Sequence, residues 1–270
     1  MLALGAPLPA LAHEYWLSFT PAAPEIRQPV EVGAVAGTGF RGERKPFSPT
    51  RCVRLVAQAG RTLDLARLGG AGEFVWARFA PSDAGGAMFG YQSDFAPIEL
   101  PGDEFEAYLA LEGLDAPLAA RRRSHMDGPG RERYRRCPKA WLPGSDVARA
   151  VKPLGLPLEL VPLDRPGVAS VLRLRVVREG YPLAGALVRA WHSPLDASGQ
   201  PSDPANRDSV GVSWEGRSDS RGEVAVSVTG PGEWLVSVVH MEACRNPAVA
   251  DWESTWSSLR FTRGRESSSR

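Results

Sequence analysis

The sequence predicts a mainly β protein: two antiparallel β-sandwich domains with a short helical insertion between them. Three observations lead there. Apolar and polar residues alternate over many short runs, the period of a half-buried strand. The 270 residues include 28 Gly and 24 Pro, so turn formers close these runs quickly, which favours short strands over long helices. The period becomes helical only in the stretch after Pro101. A hydrophobic fraction of 43% supplies two cores, and the length suits domains of ~100–150 residues each.

Residues 1–12 are a short apolar run ending in Ala10-Leu11-Ala12, a small-x-small site of the kind a signal peptidase cuts after. The run is too short to span a bilayer, which takes ~20 apolar residues, and no other segment is long enough. It reads as a truncated signal peptide without its basic start. The expected mature protein begins at His13 and is exported, periplasmic or beyond.

Residues 13–100 are expected to form the first sandwich. His13, Tyr15, Leu17 and Phe19 share one face of a strand, and Glu14, Trp16 and Ser18 the other. Further strands are expected at Val30–Ala36, Cys52–Gln58, Glu73–Ala80 and Met88–Ser93, with Gly37–Pro49 a loop. Residues 101–150 are the helical insertion. Phe105, Tyr108, Leu109 and Glu112 fall at helical spacing behind Asp103 and Glu104, where anions suit the helix dipole, and Gly113 stops the helix. A second helix is expected over Ala116–Arg123 and a third over Arg131–Cys137, stopped by Pro138, with Arg133 and Arg136 in solvent. Residues 151–262 are expected to form an Ig-like sandwich, with strands at Leu156–Val161, Val171–Val177, Leu187–His192, Val224–Val228, Glu233–His240 and Thr255–Thr262, and a long polar loop over Ser193–Ser209. The polar tail 263–270 is expected to be disordered.

Net charge is +1, so no global field points to nucleic acid or an anionic membrane surface. Cys52, Cys137 and Cys244 have no metal-type spacing and no disulfide is assigned. The chain carries no GxSxG, HExxH or P-loop motif, and no enzymatic activity is expected.

Several motifs taken together resemble one family. His13-Glu14-Tyr15-Trp16-Leu17 is similar to the His-Asp-Phe-Trp-Leu start of the DUF4198 family. Pro97-Ile98-Glu99-Leu100-Pro101 with Glu104-Phe105-Glu106-Ala107-Tyr108-Leu109, Gly130-Arg131-Glu132-Arg133-Tyr134, Gly155–Pro162, Pro182–Val188, Val239-His240-Met241 and Asp251–Ser254 continue the likeness. The resemblance implies an exported protein associated with nickel and cobalt uptake. Glu14 and Tyr15 replace the family's Asp and Phe, and the three cysteines lie outside its pattern.

Four histidines occur: His13, His125, His192 and His240. Neutral imidazole suits nickel, cobalt, copper and zinc. As a mature N-terminus, His13 would offer both its ring and an α-amine that titrates near ~8. His240 and His192 end strands whose inward face they share, so a site of His13, His240 and His192 is the expectation, with a divalent transition metal (nickel or cobalt, or copper) as cofactor. Glu14, Asp251 and Glu253 are candidate partners for the imidazole N–H groups. The expected role is an accessory that captures metal and passes it to a membrane transporter. The alternatives are a copper-dependent oxidative enzyme holding its metal between two histidines, and a metal-free carbohydrate-binding or structural module.

Overall fold

The structure, a computed structural model, describes residues 14–68, 72–196, 201, 203–206 and 208–264. The expected signal peptide, His13 and most of the C-terminal tail therefore lie outside the described residues. The first half contains strands β1 (Glu14–Thr20), β2 (Val30–Thr38), β3 (Arg41–Lys45), β4 (Cys52–Ala59), β5 (Arg61–Asp64), β6 (Ala77–Phe79), β7 (Ala87–Ser93) and β8 (Ala96–Leu100). Helices α1 (Gly102–Leu111) and α2 (Asp115–Arg123) follow, then β9 (Gly130–Leu142) and α3 (Val147–Val151). The second half contains β10 (Leu158–Pro162), β11 (Val171–Arg178), β12 (Tyr181–Pro182), β13 (Leu187–Pro194), β14 (Trp214–Arg217), β15 (Glu223–Ser227), β16 (Gly232–Ala243) and β17 (Trp252–Arg263).

The protein is mainly β, with few helices. Its centre is a nine-stranded sheet in the order β14-β13-β16-β17-β9-β7-β4-β5, with β8 also on β9. Strands from both sides of the expected boundary at residue 151 contribute to it. Its ladders are antiparallel except where β17 runs parallel to β9. On one face, the small sheet of β1, β2, β3 and β6 packs through Leu17, Phe19, Val32 and Trp76 onto Leu55, Phe89 and Ala140. Helices α1 and α2 cover the rest of that face, placing Phe105, Tyr108 and Leu109 against Val239, Met241, Trp252 and Trp256. On the other face, β10, β11, β12 and β15 bring Leu160, Leu172, Leu174 and Val226 onto Val188, Val236, Val238 and Leu259. The two sandwiches share one central sheet.

One expected helix is a strand. Residues 131–137 belong to β9, the central strand that joins the two halves of the large sheet. Arg131 and Arg133 point to one face and meet Asp251 and Glu253 across the parallel ladder, at 2.6 Å for the first pair. Glu132, Tyr134 and Arg136 point to the other. Four guanidinium groups, of Arg131, Arg133, Arg135 and Arg136, would repel along a lone helix; here Asp251 and Glu253 supply counter-charges to Arg131 and Arg133, and Glu179 supplies one to Arg135. The expected loop 37–49 contains a strand as well. Gly39 and Phe40 both have positive φ (56° and 66°) and form the two-residue turn of a β2–β3 hairpin. The expected strand 73–80 shortens to Ala77–Phe79.

Helices α1 and α2 stand where the pattern places them. Asp103 and Glu104 lie in the first turn of α1, and Gly113, at φ 62°, ends it. All three cysteines are free thiols. Among the described residues no helix is long and apolar enough to cross a membrane.

Candidate functional site

A cavity of about 380 Å³ opens where the β1–β3 layer meets the large sheet at β7 and β9. Volumes of ~300–1,000 Å³ are usual for small-molecule sites. Its floor is Arg136, on the same face of β9 as Tyr134. The guanidinium lies 5.0 Å from the Tyr134 ring centre and 4.6 Å from that of Trp256. Stacking of this kind holds the fork in place and leaves its N–H groups directed in the plane of the group. Burial lowers the Arg136 pKa, and the phenols of Tyr134 and Tyr108 with the Glu132 carboxylate partly offset this; a guanidinium stays charged at any physiological pH.

The walls are aromatic. Trp76 and Tyr91 meet edge to face at 4.8 Å, and Tyr15 lies 6.4 Å from each. The indole N–H of Trp76 donates to the Lys45 carbonyl at 2.8 Å, which fixes the ring. Burial pushes the Tyr15 and Tyr91 phenols up, so both stay protonated. The rim carries Lys45, Arg51 and Ser48. Lys45 shares its charge with Glu43 at 3.0 Å, and Arg51 donates to the Asp94 carbonyl at 3.2 Å. Three cations and no carboxylate are among the described residues lining the cavity.

Two carboxyls sit behind this floor. Burial pushes Glu132 up to about 6, against the pull of Ser254, Arg136 and Tyr108. Its Oε1 accepts from the hydroxyls of Ser254 and Tyr108. Glu14 is 5% exposed; burial pushes it up to about 8, its own backbone N–H opposes this, and the neighbouring Glu112 adds to it. At neutral pH Glu14, near 8, is therefore mainly uncharged, whereas Glu132, near 6, is mainly ionised beside Arg136.

The sheet sets two of the expected histidine ligands, His192 and His240, far apart, and the third, His13, lies outside the described residues. His192 pairs with Trp234 across the β13–β16 ladder, six residues along β16 from His240, which is about 20 Å at ~3.3 Å per residue. One ion with ligands at ~2.0–2.1 Å cannot bridge that span. His192 is instead a packing residue: its ring stacks on Trp234 at 4.6 Å, and Nε2 donates to the Pro231 carbonyl at 3.0 Å. His240 shares the face of Val236 and Val238, whereas β1 lies across the opposite face, its Tyr15 carbonyl accepting from the Ser258 hydroxyl at 2.6 Å. His240 is half-buried beside a second cavity of about 240 Å³, next to Met241. Burial and the nearby Arg178 lower its pKa; Glu242 opposes them.

Two of the acidic candidates have partners of their own. Asp251 pairs with Arg131 and Glu253 with Arg133. Among the described residues no group of three His, Cys, Asp or Glu is placed to hold a metal ion. The residues that build the cavity floor were missed because Arg136 reads as one more member of a solvated arginine cluster. The alternation of Glu132, Tyr134 and Arg136 against Arg131, Arg133 and Arg135 was the available signal.

A family model described as "Domain of unknown function (DUF4198)" matches residues 10–242. A search of the curated proteins finds no match.

Proposed function

The chain belongs to the DUF4198 family, and on that premise we propose that it is an exported binding protein rather than an enzyme, with the cavity above Arg136 as its ligand site. The observation that carries this reading is the built character of that cavity: a guanidinium held between two rings, aromatic walls, and basic groups at the rim. Such a site binds and releases without bond chemistry. The test is thermal-shift screening of the whole chain against small acids, sugars and metal salts. A ligand of the cavity raises the melting temperature of the wild type and not of Ala36→Phe, which fills the cavity from β2. Stabilisation that survives in Ala36→Phe would move the site elsewhere.

A second reading is capture of a divalent transition metal (nickel or cobalt, or copper) through a mature N-terminal His13 and His240, for delivery to a membrane transporter. One observation favours it: His240 is kept neutral near pH 7 beside an open cavity, and a neutral imidazole has the lone pair a metal needs. Titration of nickel and copper into the mature form, its His13→Ala variant and its His240→Ala variant decides it. Unchanged affinity in both variants would end this reading.

A further inference from the structure

Two neighbouring strands of the large sheet diverge before the longer one ends. β13 pairs with β16 from Pro194 opposite Gly232 to Val188 opposite Val238, and no further. β16 runs on to Ala243 against β17. Past Val188 the other chain stays with the β14 side: the Ala186 carbonyl accepts from the Ser218 amide at 3.1 Å, and Gly185, at φ 72°, turns the chain away. A cavity of about 240 Å³ lies in this fork, lined by residues 183–187 on one arm, 239–241 on the other, and 113–117 at the corner between α1 and α2. We propose that the fork is a docking site for an extended apolar peptide segment of a partner protein, which adds a short strand to β16.

The main chain comes first. The Cys244 amide donates to the Asp251 carbonyl, at the start of the β17 side, at 2.9 Å. Main-chain groups alternate in direction along an antiparallel strand. Even-numbered residues of β16 therefore turn their N–H and C=O toward β17, and odd-numbered residues turn theirs toward β13. Met241, only 3% exposed, directs both groups into the fork, beyond the last residue that β13 pairs with β16. By the same alternation Ala186 faces the β14 side and the Leu187 amide faces the fork. Main-chain groups away from water need partners. Donors and acceptors repeating every second residue, ~6.6 Å along a strand, are matched by another extended main chain.

The lining comes next. Leu114, Pro117, Leu183, Leu187 and Val239 are apolar. Asp115 and Arg217 pair with each other at 2.8 Å, and Arg217 also donates to the Gly185 carbonyl at 2.7 Å. No net charge faces the fork, so an apolar side chain suits it better than an ionic one. Strand addition draws its affinity from main-chain hydrogen bonds and its specificity from pockets for alternate side chains; the fork offers both. The space beside Gly185 is open, since a Cβ there would meet nothing within 4 Å.

The experiment follows amide resonances of the isotope-labelled full chain while the capped tripeptide acetyl-Val-Leu-Val-amide is added. Saturable shifts are expected at the Leu187 and Met241 amides. The same peptide N-methylated at its central residue lacks the main-chain donor and is expected to bind at least about tenfold more weakly. Ala184→Phe, at an exposed position that lines the cavity, is expected to abolish the shifts. Equal binding of the N-methylated peptide would overturn the proposal, because the cavity would then take an apolar body without strand pairing. Absence of saturable shifts at Leu187 and Met241, or shifts that persist in Ala184→Phe, would overturn it as well.

Discussion

Lys139 of β9 and Glu159 of β10 meet at 2.7 Å between the large sheet and the sheet that covers it, with side chains 0% and 1% exposed. Lys139 also donates to the Leu160 carbonyl at 3.0 Å, and Glu159 accepts from the amides of Leu154 and Gly155 at 2.7 and 2.9 Å. Burial alone would push the Glu159 carboxyl up; Lys139 and the amides of Leu154 and Leu156 outweigh it and hold it below the ordinary carboxylate range. The pair ties two layers and a turn together at one point.

Breaking this pair leaves a bare buried charge. Glu159→Gln is expected to cost about 3–5 kcal/mol, and Lys139→Met a similar amount. The double variant is expected to cost much less than the sum, since neither charge is then unpaired. Denaturant unfolding of the four proteins measures this; strict additivity would show that the pair is not coupled. Because the Glu159 pKa is lowered in the folded state, its contribution is present above the unfolded carboxyl range and is lost as pH falls through the folded value.

Glu132 has the opposite pH sign. Burial raises its folded pKa from 4.5 to about 6, so the folded state binds the proton more tightly. The associated stability is full below about pH 4.5 and is lost as pH rises through about 6. A shift of this size corresponds to about 2 kcal/mol at ~1.4 kcal/mol per pK unit. Glu132→Gln, which keeps acceptors for Ser254 and Tyr108, is expected to flatten the stability profile in that window. An unchanged slope in the variant would assign the effect to another group.

Gly130 is expected to tolerate no side chain. A Cβ there would lie 2.2 Å from Cγ of Phe105, the fully buried contact of α1. Gly130→Ala is expected to cost about 1–3 kcal/mol by overpacking. The loss should appear as faster amide exchange in α1, while β10 and β11, on the far face of the sheet, keep their protection. Uniform loss across both would mean that α1 does not open separately.

The His240 ring is expected to titrate below 6.5, the ordinary histidine value, because burial and then Arg178 disfavour its charged form. Its contribution to stability is present above the unfolded value and is lost as pH falls through the folded one. Arg178→Gln removes one of the two causes and is expected to raise the ring pKa. Nuclear magnetic resonance titration of the ring measures both; a wild-type value above 6.5 would contradict the assigned environment.

Most strands could be read locally. Val171–Val177 alternates cleanly because one face is core throughout, Glu233–His240 is apolar enough to read as a strand although both its faces are buried, and α1 carries both its apolar stripe and its Gly113 stop. Residues 131–137 were misread because their charges resemble a solvated helix. The information that makes them a strand lies 120 positions away, in Asp251 and Glu253. The short strands β3 and β5 were hidden in Gly- and Arg-rich segments, where a ladder partner rather than propensity decides the conformation.

The sequence by itself determined that this chain is β-rich, that two helices interrupt it near its middle, and that its features resemble one family. Those properties rest on periods of two and 3.6 residues and on turn formers, which act over a few positions. The tertiary structure alone decided which side chains meet. It seated Arg136 beneath Tyr15, Trp76 and Tyr91, which come from separate segments of the first half, and it set His192 and His240 about 20 Å apart on one face, at ~3.3 Å per strand residue. Strand order and register are fixed by burial summed over whole sheets, a quantity no local window contains.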